Sequence, residues 1–352
     1  VTITPHIFNI ENYSYFIFTI SIVIAIYGLL VISRNFKRTN FLNGINTNLT
    51  DENLPILDIL VAARDEENVI ERLVERLYNL DYPPKKLNIY IIDDGSKDKT
   101  PLILDRLSKE FEQLNIITRS PNAGGGKSGA LNYALQFTNG EWLFILDADA
   151  KLKKDTLKRL FSFVQGGSWS AVQLRKSVIN LSKNFLTNCQ SMEMAMDAIF
   201  QYGRLSVAGV SELRGNGQLI NKEVLLKCGS FNEDTVTDDL DLSLRLLIAK
   251  SRIGILWDPP VMEEAVESIP ALFAQRQRWA EGGLQRFFDY GNQLLTYKID
   301  YLQKFDLIYF FILQYALPII SLIDLILSIA LLESPIYWPI SLIAFTLSGI
   351  AF

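Results

Sequence analysis

Histidine and cysteine are almost missing. The 352 residues hold one histidine, His6, and two cysteines, Cys189 and Cys228. A histidine-based catalytic triad and a zinc site built on several histidines are therefore excluded. Two cysteines build neither a disulfide scaffold nor a four-cysteine zinc site. An excess of positive charge is missing as well. Lys and Arg number 34 against 39 Asp and Glu, a formal net charge of −5, which argues against a nucleic-acid partner. At 21% charged and 49% hydrophobic residues, the chain is too polar to lie wholly in a membrane and too apolar to be disordered. Any general base must come from carboxylate, lysine or tyrosine side chains.

The apolar residues are concentrated in three stretches. Residues 15–33 (YFIFTISIVIAIYGLLVIS) are nineteen in a row without a charge. That length nearly matches a hydrocarbon core of about 30 Å. Arg34, Lys37 and Arg38 follow, so this end is expected in the cytoplasm with the N-terminus on the opposite side. A signal peptide fits less well, since the run is long, no Ala-x-Ala site follows, and the basic residues come after it. Residues 307–332 form a second stretch, interrupted only by Pro318 and Asp324. Asp324 reads either as a functional intramembrane group or as a residue near an interface. A third stretch begins at Ile336 and is still apolar at Phe352. A chain running from Val1 into an apolar stretch is expected to be part of a longer protein. The expected organisation is a membrane segment in 1–34, a cytosolic domain in 35–260, amphipathic interface helices in 261–306, and membrane helices in 307–352.

Between the membrane stretches the pattern is that of an α/β domain. Residues 56–63 (ILDILVAA), 88–92 (NIYII), 114–118 and 142–146 (WLFIL) read as buried strands. Helical spacing covers 66–80, 100–111, 128–136 and 240–247. Such alternation predicts a mostly parallel sheet covered on both faces, with ligands bound beyond the carboxyl ends of its strands. Three charged clusters fall at such ends: Arg64-Asp65-Glu66, Asp93-Asp94 and Asp147-Ala-Asp149.

Each motif has a plain reading beside the functional one. Asp147 and Asp149 can share a hard divalent cation, or form a solvated turn. The segment Asn122-Ala-Gly-Gly-Gly-Lys127 lacks the first glycine of a P-loop, because Pro121 stands there. Its glycines can still admit a phosphate close to the backbone beside Lys127, or simply make a surface loop. The acids of Thr237-Asp238-Asp239-Leu240-Asp241 cap a helix and are also the leading candidates for a base. The stretch Gln275-Arg-Gln-Arg278-Trp279 lies in an amphipathic segment that suits a membrane surface, while an arginine fork and an indole also suit a phosphate ligand.

Taken in order, six motifs resemble the inverting glycosyltransferases of family 2 in their membrane-embedded form. They are Val61-Ala-Ala-Arg-Asp-Glu66, Asp93-Asp94-Gly-Ser, Gly126-Lys127-x-x-Ala130-Leu-Asn132, Asp147-x-Asp149, Thr237-Asp238-Asp239 and Gln275-x-x-Arg278-Trp279. The first departs from the usual pattern at Ala62 and Asp65, and the fifth at Asp238. The resemblance implies a Rossmann-like nucleotide-sugar fold of the glycosyltransferase A type. It implies donor contacts from Glu66, Asp93, Asp94, Lys127, Asp147, Asp149, Gln275, Arg278 and Trp279. It further implies a Mg2+ or Mn2+ ion held at Asp147 and Asp149, and Asp239 as the base on the acceptor hydroxyl. Residues 207–218 and 275–290 are most similar to the cyanobacterial members that move glucose, from a UDP-sugar donor, onto diacylglycerol. The expected product is a β-glycolipid made at the cytoplasmic face of a plasma or thylakoid membrane. The same motifs occur in cellulose, chitin and hyaluronan synthases, so a growing glycan is the alternative acceptor. An inactive nucleotide-sugar-binding scaffold is the alternative outside enzymes.

Overall fold

The structure, a computed structural model, describes residues 13–34, 50–296, 299–332, 335–338 and 340–344. His6, Lys37, Arg38 and the stretch from 345 onward lie outside the described residues. The chain divides into two compact units. One is drawn from Val1–Arg38, Ile199–Val210 and Ile299–Phe352, the other from Thr39–Ala198 and Ser211–Lys298.

The larger unit is built on a seven-stranded sheet of order β3-β2-β1-β4-β6-β5-β7. The strands are β1 (Leu57–Ala63), β2 (Leu87–Asp93), β3 (Leu114–Thr118), β4 (Trp142–Leu146), β5 (Ala171–Val178), β6 (Gln218–Asn221) and β7 (Ile253–Glu263). Four of the six pairings are parallel, and β6 runs antiparallel to both β4 and β5. The sheet is thus mostly parallel, as the sequence predicts. The strand order turns between β1 and β4, and it is beside such a switch point that a doubly wound sheet opens a crevice at its strand ends.

The first four strands coincide with the apolar runs to within a residue; β1, β2 and β4 are buried almost throughout, while β3, at the sheet edge, exposes Asn115 and Thr118. Leu60, Ile92, Leu143 and Ile145 pack with Leu131, Leu213 and Leu242 in one core cluster. Each such side chain contributes about 1.5–3 kcal/mol on leaving water. The helix after β1 covers Ile70–Tyr78 and buries Ile70, Leu73, Val74 and Leu77, one face at helical spacing. It starts four residues later than its periodicity suggests. The amides of Glu66 and Glu67 donate instead to the Thr100 hydroxyl (2.8 Å) and the Asp98 carboxylate (3.0 Å). The first turn is spent on a loop-to-loop tie. Helices Thr100–Glu110, Gly126–Leu135 and Asp238–Ile248 lie close to their predicted ranges.

The described part of the smaller unit is mainly helical. Its long apolar helix, Tyr301–Leu331, is the one described helix long and apolar enough to cross a membrane. It carries a π-type turn at Ile312–Ala316. The first helix, Tyr13–Ser33, is apolar over Thr19–Ser33. Inside this unit Asp306 is fully buried and accepts from the Tyr27 hydroxyl (2.8 Å) and from Arg204 (2.8 Å). Asp324 is buried too, and its carboxylate accepts from the amides of Ile336 (2.9 Å) and Tyr337 (3.0 Å). Its side chain fastens a turn of the chain. Cys189 and Cys228 are free thiols, both half-buried.

Candidate nucleotide-sugar site

The carboxyl ends of β1, β2 and β4 bring three of the predicted clusters to one rim. After β1, Asp65 adopts a left-handed backbone (φ 59°). Its amide donates to the Ser96 hydroxyl (3.0 Å), and its carboxylate accepts from the Lys97 amide (2.7 Å). The loops after β1 and β2 are thereby stitched together. Asp93 is buried and spends its carboxylate on the Ser96 amide (3.0 Å), so it shapes the turn. Asp94 meets the buried Arg119 guanidinium at 2.5 Å, and Arg119 also donates to the Gly124 carbonyl (2.8 Å). Arg119 thus links Asp94 to the glycine loop. It stands directly after β3, a position the strand-end rule could have picked out.

The glycine loop leads into helix Gly126–Leu135, near whose start Lys127 sits. Its ammonium lies 2.6 Å from Asp147. Burial alone would lower the Lys127 pKa, but Asp147, with Asp238 and Asp239 nearby, raises it. Asp147 is held below the usual carboxylate range, because Lys127 outweighs the effect of burial. Asp149 accepts from the Glu264 amide (2.8 Å). Burial, and then repulsion from Asp147 and Glu263, pushes it up to about 6. Glu66 is pushed up to about 7 by burial and by the charges of Asp149 and Asp147. Glu66, Asp147 and Asp149 therefore share one field of negative charge.

These oxygens suit a hard divalent ion, and a cation would relieve the repulsion that raises Glu66 and Asp149. Among the described residues no three carboxylate, histidine or cysteine side chains group closely enough to hold an ion by themselves. An ion here needs further oxygens from the ligand, which is the way Mg2+ and Mn2+ commonly meet a diphosphate. The residues fit such an ion on those terms.

Asp239 sits at the N-terminus of helix Asp238–Ile248. One of its oxygens accepts from the Leu240 amide (2.9 Å). Burial and the neighbouring Asp238 push Asp239 up to about 6, against the pull of Arg214 and Lys127. A half-buried carboxylate titrating near 6 accepts a proton readily at neutral pH. Lys127 feels both Asp147 and Asp239, so the strand-end acids and the helix-start acid belong to one site.

The long helix Ile269–Leu294 carries the last motif. Trp279 takes Arg276 against its ring at 4.1 Å and has the Lys176 ammonium 5.9 Å from its centroid. Arg276 is in turn paired with Glu193. Gln275 and Arg278 line an open groove with Val266, Ala271, Ala274 and Glu281. Trp279 thus approaches the carboxylate site through Lys176, whereas Gln275 accepts from Arg276 and, with Arg278, lines the groove. Sequence reasoning missed Lys176, Asn216 and Glu263. Lys176 and Glu263 lie on strands of mixed polarity that carry no motif.

Residues 55–282 match the family model described as glycosyltransferase-like family 2. The chain belongs to that family. This family 2 protein is 43% identical over 290 residues to a beta-monoglucosyldiacylglycerol synthase of Synechocystis, covering 82% of this chain and 60% of the relative. It is equally 43% identical over 295 residues to the enzyme of that name from Trichormus variabilis, covering 84% of this chain and 63% of the relative. The chain therefore spans about three fifths of the length of these curated relatives. In fold it is similar to the mannosyltransferase PcManGT of Pyrobaculum calidifontis, solved with GDP-Man and Mn2+. The TM-score is 0.67 at 19% identity, over 95% of this chain and 96% of that one. The fold is that of the glycosyltransferase A type.

Proposed function

We propose that this family 2 protein transfers glucose from UDP-glucose to diacylglycerol with inversion at the anomeric carbon, giving a β-glucolipid. The observation that carries the reading is the single electrostatic site formed by Lys127, Asp147, Asp149 and Asp239 at the switch-point rim. The likeness to the diacylglycerol-glucosylating relatives supports the choice of acceptor.

In this reading Glu66 and Asp94 take the nucleoside, with Asp93 shaping the turn that presents Asp94. Asp147 and Asp149 would hold a Mg2+ or Mn2+, which when bound would offset charge on the diphosphate. The Lys127 ammonium stands where negative charge builds on the leaving group, a preorganised cation in a half-buried setting. Asp239 takes the proton from the acceptor hydroxyl as its oxygen forms a bond to C1. The bond from C1 to the β-phosphate oxygen breaks on the opposite face, and its electron pair leaves with UDP. One in-line displacement turns an α-linked donor into a β-linked product. Trp279 roofs the site, and Gln275 and Arg278 flank the acceptor entrance. The apolar helices of the smaller unit keep the protein in the bilayer that holds its acceptor, with the larger unit on the cytosolic side.

The test supplies the purified chain in diacylglycerol-containing vesicles with radiolabelled UDP-glucose and Mg2+. Lipid extract and polymer fraction are then separated. The expected result is chelator-sensitive label in a monoglucosyl lipid, with a β anomeric proton coupling. Label confined to polymer would replace the lipid acceptor with a glycan. Donor binding without transfer to either would mark a scaffold.

A further inference from the structure

Beneath the carboxylates runs a buried polar network to which no role above is given. Its centre is the loop 213–217, which enters β6. At one end the loop is tied to β4. The Asp147 amide donates to the Asn216 side chain (3.2 Å), and the Gly217 amide donates to the Ile145 carbonyl (3.0 Å). At its other end it is tied to the turn of Asp239. The Leu213 amide donates to the Ser243 hydroxyl (2.7 Å), which donates to the Asp239 carbonyl (2.6 Å). Gly215, at φ 79°, passes so near that a side-chain carbon there would lie 3.4 Å from an Asp239 carboxylate oxygen. The loop therefore spans the gap between the acids at the end of β4 and the acid at the helix start.

Its middle is fastened by β5 and β7. Gln173 donates to the Asn216 carbonyl (2.7 Å) and accepts from the Arg214 amide (2.7 Å). The Lys176 ammonium donates to the Arg214 carbonyl (3.2 Å) and pairs with Glu263 at 2.7 Å. Glu263 in turn accepts from the Asn216 side chain (3.1 Å). Asn216 and Gln173 are buried, and the Lys176 and Glu263 side chains are only 16% and 11% exposed. A Lys–Glu pair this enclosed contributes little net stability compared with apolar residues of the same shape. Its distinctive property is a fixed geometry, set by three anchors on three separate elements.

We infer that Lys176 is a positioning residue that, with Glu263 and Asn216, clamps loop 213–217 and so fixes the separation between the donor-side acids of β4 and Asp239. The inference rests on the roles proposed for Asp147, Asp149 and Asp239. Displacement transfer is sensitive to this separation, since a misplacement of about 1 Å can cost about 10²-fold in rate. Lys176 touches the Arg214 carbonyl and Glu263, with the Trp279 ring beyond, so it acts through them.

The experiment uses the full chain with Lys176→Met, Lys176→Arg and Glu263→Gln. Donor affinity is measured by calorimetry with UDP-glucose and Mg2+, turnover by the lipid assay, and amide hydrogen exchange of 213–217 without ligand. Lys176→Met is expected to lower kcat by about 10²-fold with donor Kd unchanged, and to speed exchange across the loop. Lys176→Arg is expected to recover most of the turnover. Should Lys176→Met fail to fold, Glu263→Gln keeps the side-chain shape and is expected to show the same split. Wild-type kcat in both charge-removing variants would overturn the clamp, as would unchanged exchange. A parallel loss of donor affinity would overturn it too, making Lys176 a donor ligand. A wild-type chain silent in transfer would sink the proposed activity, while the exchange measurement would still decide the clamp.

Discussion

Asp239 is where one side chain's environment has the sharpest consequence. Its carboxyl is pushed up to about 6 by burial and by Asp238. Turnover that depends on its ionised form should fall on the acid side of about pH 6, which a pH–kcat profile will read. Asp239→Asn should lower kcat by about 10²- to 10⁴-fold, the usual contribution of a positioned base, with donor affinity retained. Stability should move the other way. A carboxyl raised in the folded state binds its proton more tightly there than in the unfolded chain. Its contribution is therefore greatest at low pH and is lost as pH rises from the ordinary aspartate range to about 6. The Asn variant should melt no lower than wild type at pH 8. The acids of this site were legible because they end apolar strands or open a helix. Lys176 was not, because a single cation on a strand of mixed polarity carries no spacing signal, and Arg119 shows itself only by its place directly after β3.

Among the elements, the strands were the easiest to read and the turns the hardest. β1, β2 and β4 are nearly continuous apolar runs because both their faces are covered, and such runs mark themselves. The first helix of the sheet unit starts late because Glu66 and Glu67 give their amides to the next loop, a long-range bond that local periodicity cannot register. The turn at Gly95 shows what these loops demand. Its φ is +73°, and a side-chain carbon there would lie 2.5 Å from the Pro121 backbone. Gly95→Ala should cost about 1–2 kcal/mol through the left-handed backbone alone, and more through the collision with a neighbouring main chain. A denaturant midpoint will measure the loss. Donor affinity should fall with it, because the loops after β2 and β3 carry Asp94 and Arg119.

For the molecule as a whole, the apolar unit holds the other concentrated charge. Arg204 lies 3% exposed against fully buried Asp306, with its guanidinium also over Phe310 at 4.2 Å. Removing one partner of such a pair strands the other charge, at a cost of about 3–5 kcal/mol. Arg204→Met should therefore sharply lower the melting temperature in detergent. Adding Asp306→Asn should return part of the loss. None of this was legible beforehand, since Arg204 and Asp306 stand 102 positions apart and each looks like an ordinary polar residue at the margin of an apolar run. The reversed direction of β6 was equally hidden, four residues being too short to announce a sense. Yet that reversal bears on any attempt to transplant the chemistry. In an all-parallel doubly wound scaffold a strand in this slot would begin at the far edge of the sheet, about 13 Å away. The segment feeding it would never reach the rim that carries Asp147 and Asp149. A designer would have to build in one backward strand before copying a single side chain.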